Sequence, residues 1–110
     1  MARTRRLTIL AALAGLALTS GLAEAQTNDP SFRLTNNSPT TINEIYVSSA
    51  TVNEWGADRL GDRTLASGAT YVLRLPAGQC VNDIRVVYDN GQASERRRVN
   101  TCSITDLVFP

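Results

Sequence analysis

The chain has no histidine and no lysine. Without histidine, Ser-His-Asp and Cys-His nucleophiles and His-ligated zinc are excluded. Without lysine, Schiff-base chemistry and the lysine-bearing phosphate loop are excluded. Aromatics make up only 5% of the residues, with a single Trp. There is no internal repeat, linker or low-complexity tract. The chemistry left to the chain is carboxylates, arginines, hydroxyls, two cysteines and that Trp.

The first residues set the compartment. Arg3, Arg5 and Arg6 form a positive leader, residues 7–18 are an apolar run broken only by Thr8 and Gly15, and Ala23-Glu24-Ala25 is the small-x-small pattern of a signal-peptidase site. The run is shorter than the ~20 apolar residues that span a bilayer, and it has no polar face to suit a core helix. Cleavage is expected between Ala25 and Gln26. The product is destined for the periplasm or secretion, with no membrane attachment after the leader is removed. Residues 4–10 partly fit a twin-arginine signal, with Thr8 where a large apolar residue is usual. Sec export is the expected route and twin-arginine export the alternative.

Residues 26–110 form one domain of 85 residues with eight Arg, six Asp and three Glu, a net charge of −1. Neither nucleic acid nor an anionic membrane surface suits a chain without a positive field. A monomer is expected, meeting a protein or small ligand of unknown identity. In an exported chain, Cys80 and Cys102 read as a disulfide, which leaves no thiol nucleophile. Closing that 23-residue loop stabilises by ~3 kcal/mol in the chain-entropy model.

Alternation predicts strands at 32–35, at 42–47 with a bulge near Asn43 or Glu44, at 70–75, at 83–88, at 94–101 and at 104–109. Asp89-Asn90-Gly91 is a strong hairpin turn, because Asn and Gly accept the positive φ of tight β-turns. A two-residue turn at Asn90-Gly91 opposes Cys80 with Thr101. A three-residue loop centred on Gly91 opposes it with Cys102 itself. Both put the thiols within reach at the open end of the hairpin. With no convincing helical period, the pattern predicts an all-β antiparallel sandwich of about six or seven strands, with a small β-barrel as the alternative.

Trp55-Gly56-Ala57-Asp58-Arg59-Leu60-Gly61-Asp62 is the most distinctive stretch. It occurs alongside Asn36, Ile42, Tyr46-Val47-Ser48, Leu65 to Gly68, Cys80, Asp83-Ile84-Arg85-Val86, Tyr88, Asn90-Gly91 and Cys102. Together these residues resemble an uncharacterised family of small exported proteobacterial proteins with a W-G-x-D-x-L-G loop and a C-x-x-D-[IV]-R-V hairpin closed by a second Cys. The resemblance implies no particular activity.

Two readings of the loop follow from its residues. In the structural one, Trp55 is largely buried as a plug, Asp58 accepts backbone hydrogen bonds within the loop, Leu60 packs, and Gly56 and Gly61 permit the bend. In the ligand reading, Asp58, Asp62, Asp83 and Asp89 converge on calcium or a small ligand. The structural reading is preferred, and no cofactor is expected. Arg96-Arg97-Arg98 reads as a solvated, ion-paired edge near Asp83, Arg85 and Glu95 that discourages strand addition. The expected function is a non-catalytic binding or structural module, followed by the calcium or small-ligand domain and then by a carboxylate-based enzyme.

Overall fold

A computed structural model describes residues 26–110; the expected leader, up to the cleavage expected after Ala25, lies outside the described residues. Six strands form two three-stranded sheets: β1 (Phe32–Asn36), β2 (Ile42–Ser49), β3 (Thr70–Leu73), β4 (Val81–Tyr88), β5 (Ala93–Asn100) and β6 (Asp106–Phe109). One sheet runs β3-β1-β6 and the other β2-β4-β5. This is the expected small β-sandwich, stapled by Cys80–Cys102 across a Cα separation of 5.1 Å.

Period-two patterning builds the core. Phe32 and Leu34 of β1, Leu73 of β3 and Phe109 of β6 face Ile42, Ile45 and Val47 of β2 and Ile84 and Val86 of β4, all buried. The bulge in β2 lies between Ile42 and Glu44, where the apolar phase changes from one parity to the other. Leu60 and Leu65 enter the core from the long connection between β2 and β3. The strand at 70–75 is shorter than alternation predicts: Leu75 stays buried, but its N–H goes to the Ser31 hydroxyl rather than to a neighbouring strand.

One pairing departs from the antiparallel expectation. β1 and β6 run parallel, Leu34 opposite Leu107 and Thr35 opposite Val108. A parallel neighbour carries no local turn signal, because its partner lies most of the chain away.

Near its turn the β4–β5 hairpin differs from both sequence registers, and at Cys80 it returns to the register of the two-residue turn. Its loop is centred on Asn90, with the Tyr88 N–H bonded to the Gln92 carbonyl at 2.8 Å. A bulge then adds a residue on β5, between the pairs Ile84–Arg96 and Asn82–Val99. The two shifts bring Thr101 opposite Cys80, joined by the Thr101 N–H to Cys80 C=O bond at 2.8 Å. Cys102 follows in a short 3-10 turn, Thr101–Ser103, capped by the Asn100 side chain. Cys102 thus lies next to the position directly opposite Cys80, and the thiols meet across the corner.

Both open sides of the sandwich are closed by arginine. On one side loop 58–65 runs along the outer edge of β2. Ile42 exchanges both backbone hydrogen bonds with Leu65, and the Ile45 carbonyl accepts from the Arg59 N–H at 2.7 Å. The Arg59 guanidinium then reaches the Val47 carbonyl at 3.3 Å and the Arg74 carbonyl at 3.5 Å. On the other side Arg96, paired with the inward-facing Ile84, donates to the Val108 carbonyl at 2.8 Å. Its guanidinium carbon lies 4.5 Å from the Phe109 ring centroid. These contacts satisfy backbone groups that an exposed edge would offer to another strand.

Candidate functional site

The outer face of the β2-β4-β5 sheet carries Glu44, Tyr46 and Ser48 from β2, Asp83 and Arg85 from β4, and Glu95 and Arg97 from β5. Strand pairing sets their neighbours: Tyr46 opposes Arg85, Ser48 opposes Asp83, and Arg85 opposes Glu95. The result is a chain of alternating charge. Arg85 donates to Glu95 Oε2 at 2.6 Å. Arg97 donates from Nε and Nη2 to Glu95 Oε1 at 3.0 and 2.8 Å, and from Nη1 to Asp83 Oδ2 at 3.2 Å. The guanidinium groups of Arg85 and then Arg97 hold the Glu95 carboxyl below the ordinary carboxylate range, and Glu95 in return raises Arg97. Tyr46 donates its hydroxyl to Glu44 Oε1 at 2.5 Å, which pushes the phenol above the usual tyrosine value.

Asp83 anchors the bulge. It is buried, and its Oδ1 accepts the Arg98 N–H at 2.8 Å. Arg98 has φ +54°, a conformation that L-residues adopt only when held there. Arg97 is thereby turned onto the outer face, while Arg96 points inward to Phe109. The arginine run therefore splits between Arg96 and Arg97, and Arg97 lies among the ion pairs expected of it.

Trp55 is half-buried rather than a buried plug. It folds over the outer face, with its ring 6.5 Å from the Tyr46 ring at an interplanar angle of 53°. The Arg97 guanidinium carbon lies 4.9 Å from its centroid. The chain enters this position through a turn after β2, pinned by the Ala50 N–H to the Val81 carbonyl at 3.0 Å. Between the turn and the sheet lies a shallow cleft of about 190 Å³, lined by Ser48, Asn53, Glu54, Trp55, Asp83 and Arg97, with Ala50 and Val52 at its rim.

The four aspartates of the ligand reading occupy separate places. Asp58 Oδ1 accepts the N–H groups of Ile45 and Leu60, both at 2.9 Å. One of those bonds lies within the loop, and the other ties the loop to the β2 edge. Asp62 is exposed beyond Gly61, Asp89 is exposed in the hairpin turn, and Asp83 sits at the bulge. Among the described residues no three His, Cys, Asp or Glu side chains gather where they could hold a metal ion. Gly56 and Gly61 take φ +76° and +61°, the bends that the loop reading requires of them, and Leu60 is buried.

Sequence reasoning missed the contact between Trp55 and Arg97 and the lid that Arg96 makes over Phe109. Period-two alternation from Ile84 across the hairpin could have revealed Arg96 once the register was known. Nothing in the spacing of Trp55 could have revealed its partner. No family model matches the chain, and no curated protein or solved structure matches it either. Among the described residues no helix is long and apolar enough to cross a membrane.

Proposed function

We propose that the protein is an exported, non-catalytic binding module, akin to the small exported family that its motifs resemble, and that it engages its ligand at the cleft beside Trp55. The observation that carries this reading is the half-exposed Trp55 held against Arg97 and Tyr46 at the mouth of a polar cleft. A single large aromatic kept out of a small core, and fixed by an ion-paired arginine, is a rigid contact surface with little entropy to lose on binding.

The residue inventory supports binding over catalysis. Histidine and lysine are absent, both cysteines are spent in the disulfide, and the carboxyls of Glu95 and Asp29 are shifted downward. A general acid needs a shift in the opposite direction. The disulfide is compatible with an oxidising compartment, reached through the leader by Sec or twin-arginine export.

The test is a nitrogen-15 chemical-shift map of the protein in cell-envelope extract. Perturbations should cluster on residues 48–55, Asp83 and Arg97. Shifts that scatter over the domain, or none at all, would overturn the reading.

A further inference from the structure

We infer that the outer edge of β3 takes an added strand, an extended acidic segment of another protein. This surface lies on the other sheet and is independent of the Trp55 cleft. The four sheet edges differ in what they leave open. Loop 58–65 runs along the edge of β2, the Arg97–Arg98 bulge breaks β5, and Arg96 takes the Val108 carbonyl of β6. On β3, Thr70 and Val72 are exposed. The Asn36 N–H bonds the Ala69 carbonyl at 2.9 Å, so alternation along the antiparallel pair turns the N–H and C=O of Thr70 and Val72 away from β1. The Thr35 and Thr70 hydroxyls, 3.0 Å apart, fit the close, non-hydrogen-bonded kind of pair. Among the described residues these four outward groups have no partner.

A groove of about 350 Å³ follows the same edge, lined by Tyr71, Val72, Leu73 and Arg74, with Arg59 as its wall. Successive side chains of a strand point to opposite faces, so a groove touching four in a row lies on the edge. The open stretch ends where Arg59 meets the Arg74 carbonyl.

Charge selects the occupant. Arg33, Arg85 and Arg97 are held in ion pairs, whereas among the described residues Arg59, Arg63 and Arg74 are in none. The Arg63 guanidinium carbon stands 5.7 Å from the Tyr71 ring centroid. Of the carboxylates close by, Asp58 is spent on two backbone N–H groups, and the exposed Asp29 and Asp62 form no ion pair among the described residues. A second copy of the chain is a poor occupant, because β3 against β3 brings both sets of arginines together. Alternation sets the pattern of a good one. Residues opposite Thr70 and Val72 share the outer face with the Val72 side chain, which is 45% exposed. Residues between them lie on the side of Tyr71, Arg59 and Arg63. Apolar residues at the first positions and carboxylates at the second give main-chain pairing with side-chain selection.

The experiment titrates the protein with the end-blocked peptide Glu-Val-Glu-Val-Glu, following nitrogen-15 shifts and amide hydrogen exchange. Parallel arms use Lys-Val-Lys-Val-Lys, the acidic peptide with both valines N-methylated, and free glutamate. Saturable shifts are expected at residues 70–74, Arg59 and Arg63. The Thr70 and Val72 amides should exchange roughly tenfold more slowly at nine-tenths occupancy, since only the free fraction exchanges. Arg63→Glu, at an exposed position, should leave the melting temperature nearly unchanged and weaken the acidic peptide about 2–10-fold. The inference is overturned if the acidic peptide does not saturate by about 1 mM, or if Arg63→Glu binds it as tightly as wild type. Equal binding of the basic peptide would refute the charge selection. Equal binding of the N-methylated peptide or of glutamate would reduce the edge to an anion site without strand addition. Shifts confined to the Trp55 cleft or to another edge, or a peptide-free dimer joined through β3, would refute it as well.

Discussion

Replacing Asp58 by alanine tests whether the Trp55-to-Asp62 loop is held by one acceptor atom. Asp58 Oδ1 receives two backbone donors, Ile45 N–H on β2 and Leu60 N–H in the loop, each at 2.9 Å. Both residues are buried, Ile45 fully, so water reaches the orphaned donors poorly. An unsatisfied buried N–H costs about 1–3 kcal/mol. With the Leu60 donor nearer the surface, the two together predict a loss of roughly 2–4 kcal/mol. For a domain of this size each kcal/mol lowers the melting temperature by ~4–8 °C, so the midpoint should fall by roughly 10–30 °C. Asp58→Asn keeps an oxygen in the same place and should lose less than about 1 kcal/mol, the difference between an ionised and a neutral acceptor. Thermal and urea melts of the three proteins, each in chelator and in millimolar calcium, decide the matter. A calcium-linked site would stabilise wild type by about 2.7 kcal/mol at a hundredfold excess over its dissociation constant, whereas the hydrogen-bond account predicts no calcium effect in any variant. The reasoning is refuted if Asn is as damaging as Ala, if Ala is nearly neutral, or if calcium stabilises wild type alone.

Replacing Cys80 and Cys102 together by Ser should cost about 2–5 kcal/mol in urea melts, the usual loss for a small secreted domain, and thiol titration of the native protein should find no free cysteine. Arg98→Gly should raise stability by about 0.5–1 kcal/mol by relieving the positive φ, measured by the same melts; a loss would show that the Arg98 side chain matters more than its backbone. Glu95 has a folded pKa below its unfolded value, so its contribution is present above the ordinary carboxylate value of ~4.3 and disappears as pH falls through the folded one. Carbon-13 titration of the carboxyl should show the lowered midpoint, and Arg85→Ala should move it upward; an ordinary midpoint in wild type would contradict the ion-pair geometry. Mass spectrometry of the exported protein should find Gln26 at its N-terminus, and an intact Met1 in the periplasmic fraction would refute leader cleavage.

The sequence made some elements legible because their causes are local. Phe32 and Leu34, or Ile84, Val86 and Tyr88, declare a buried face through alternation alone, and the change of parity between Ile42 and Ile45 declares the bulge. Asp89-Asn90-Gly91 announces the hairpin, yet not its register, since the loop centre shifts to Asn90 and the Arg97–Arg98 bulge restores the count at Cys80. That bulge depends on a buried Asp83 lying across the hairpin, an interaction between residues 15 apart. The β1–β6 pair was hidden for the same reason at greater distance. In the candidate site, the ion pairs of Arg97 followed from strand pairing. The position of Trp55 did not, because its contacts are with Tyr46 on β2 and Arg97 on β5, which only the folded sheet brings together.

The parallel pairing of β1 with β6 has a consequence for the order of folding. Arg33 and Asp106, which meet as an ion pair across it, are 73 residues apart in the chain. β1 is the middle strand of its sheet, yet one of its two neighbours is the last strand in the sequence. A chain made from the N-terminus therefore presents β1 with one bare edge until residues 106–109 have followed. Closing so long a span before its contacts repay the lost entropy is slow, in the millisecond-to-second range of non-local β domains. Shortening the chain before Asp106 would leave no smaller sandwich. It would strip Phe109 from the core and leave the bare edge of β1 to the next strand it meets, including one from another copy of the same protein.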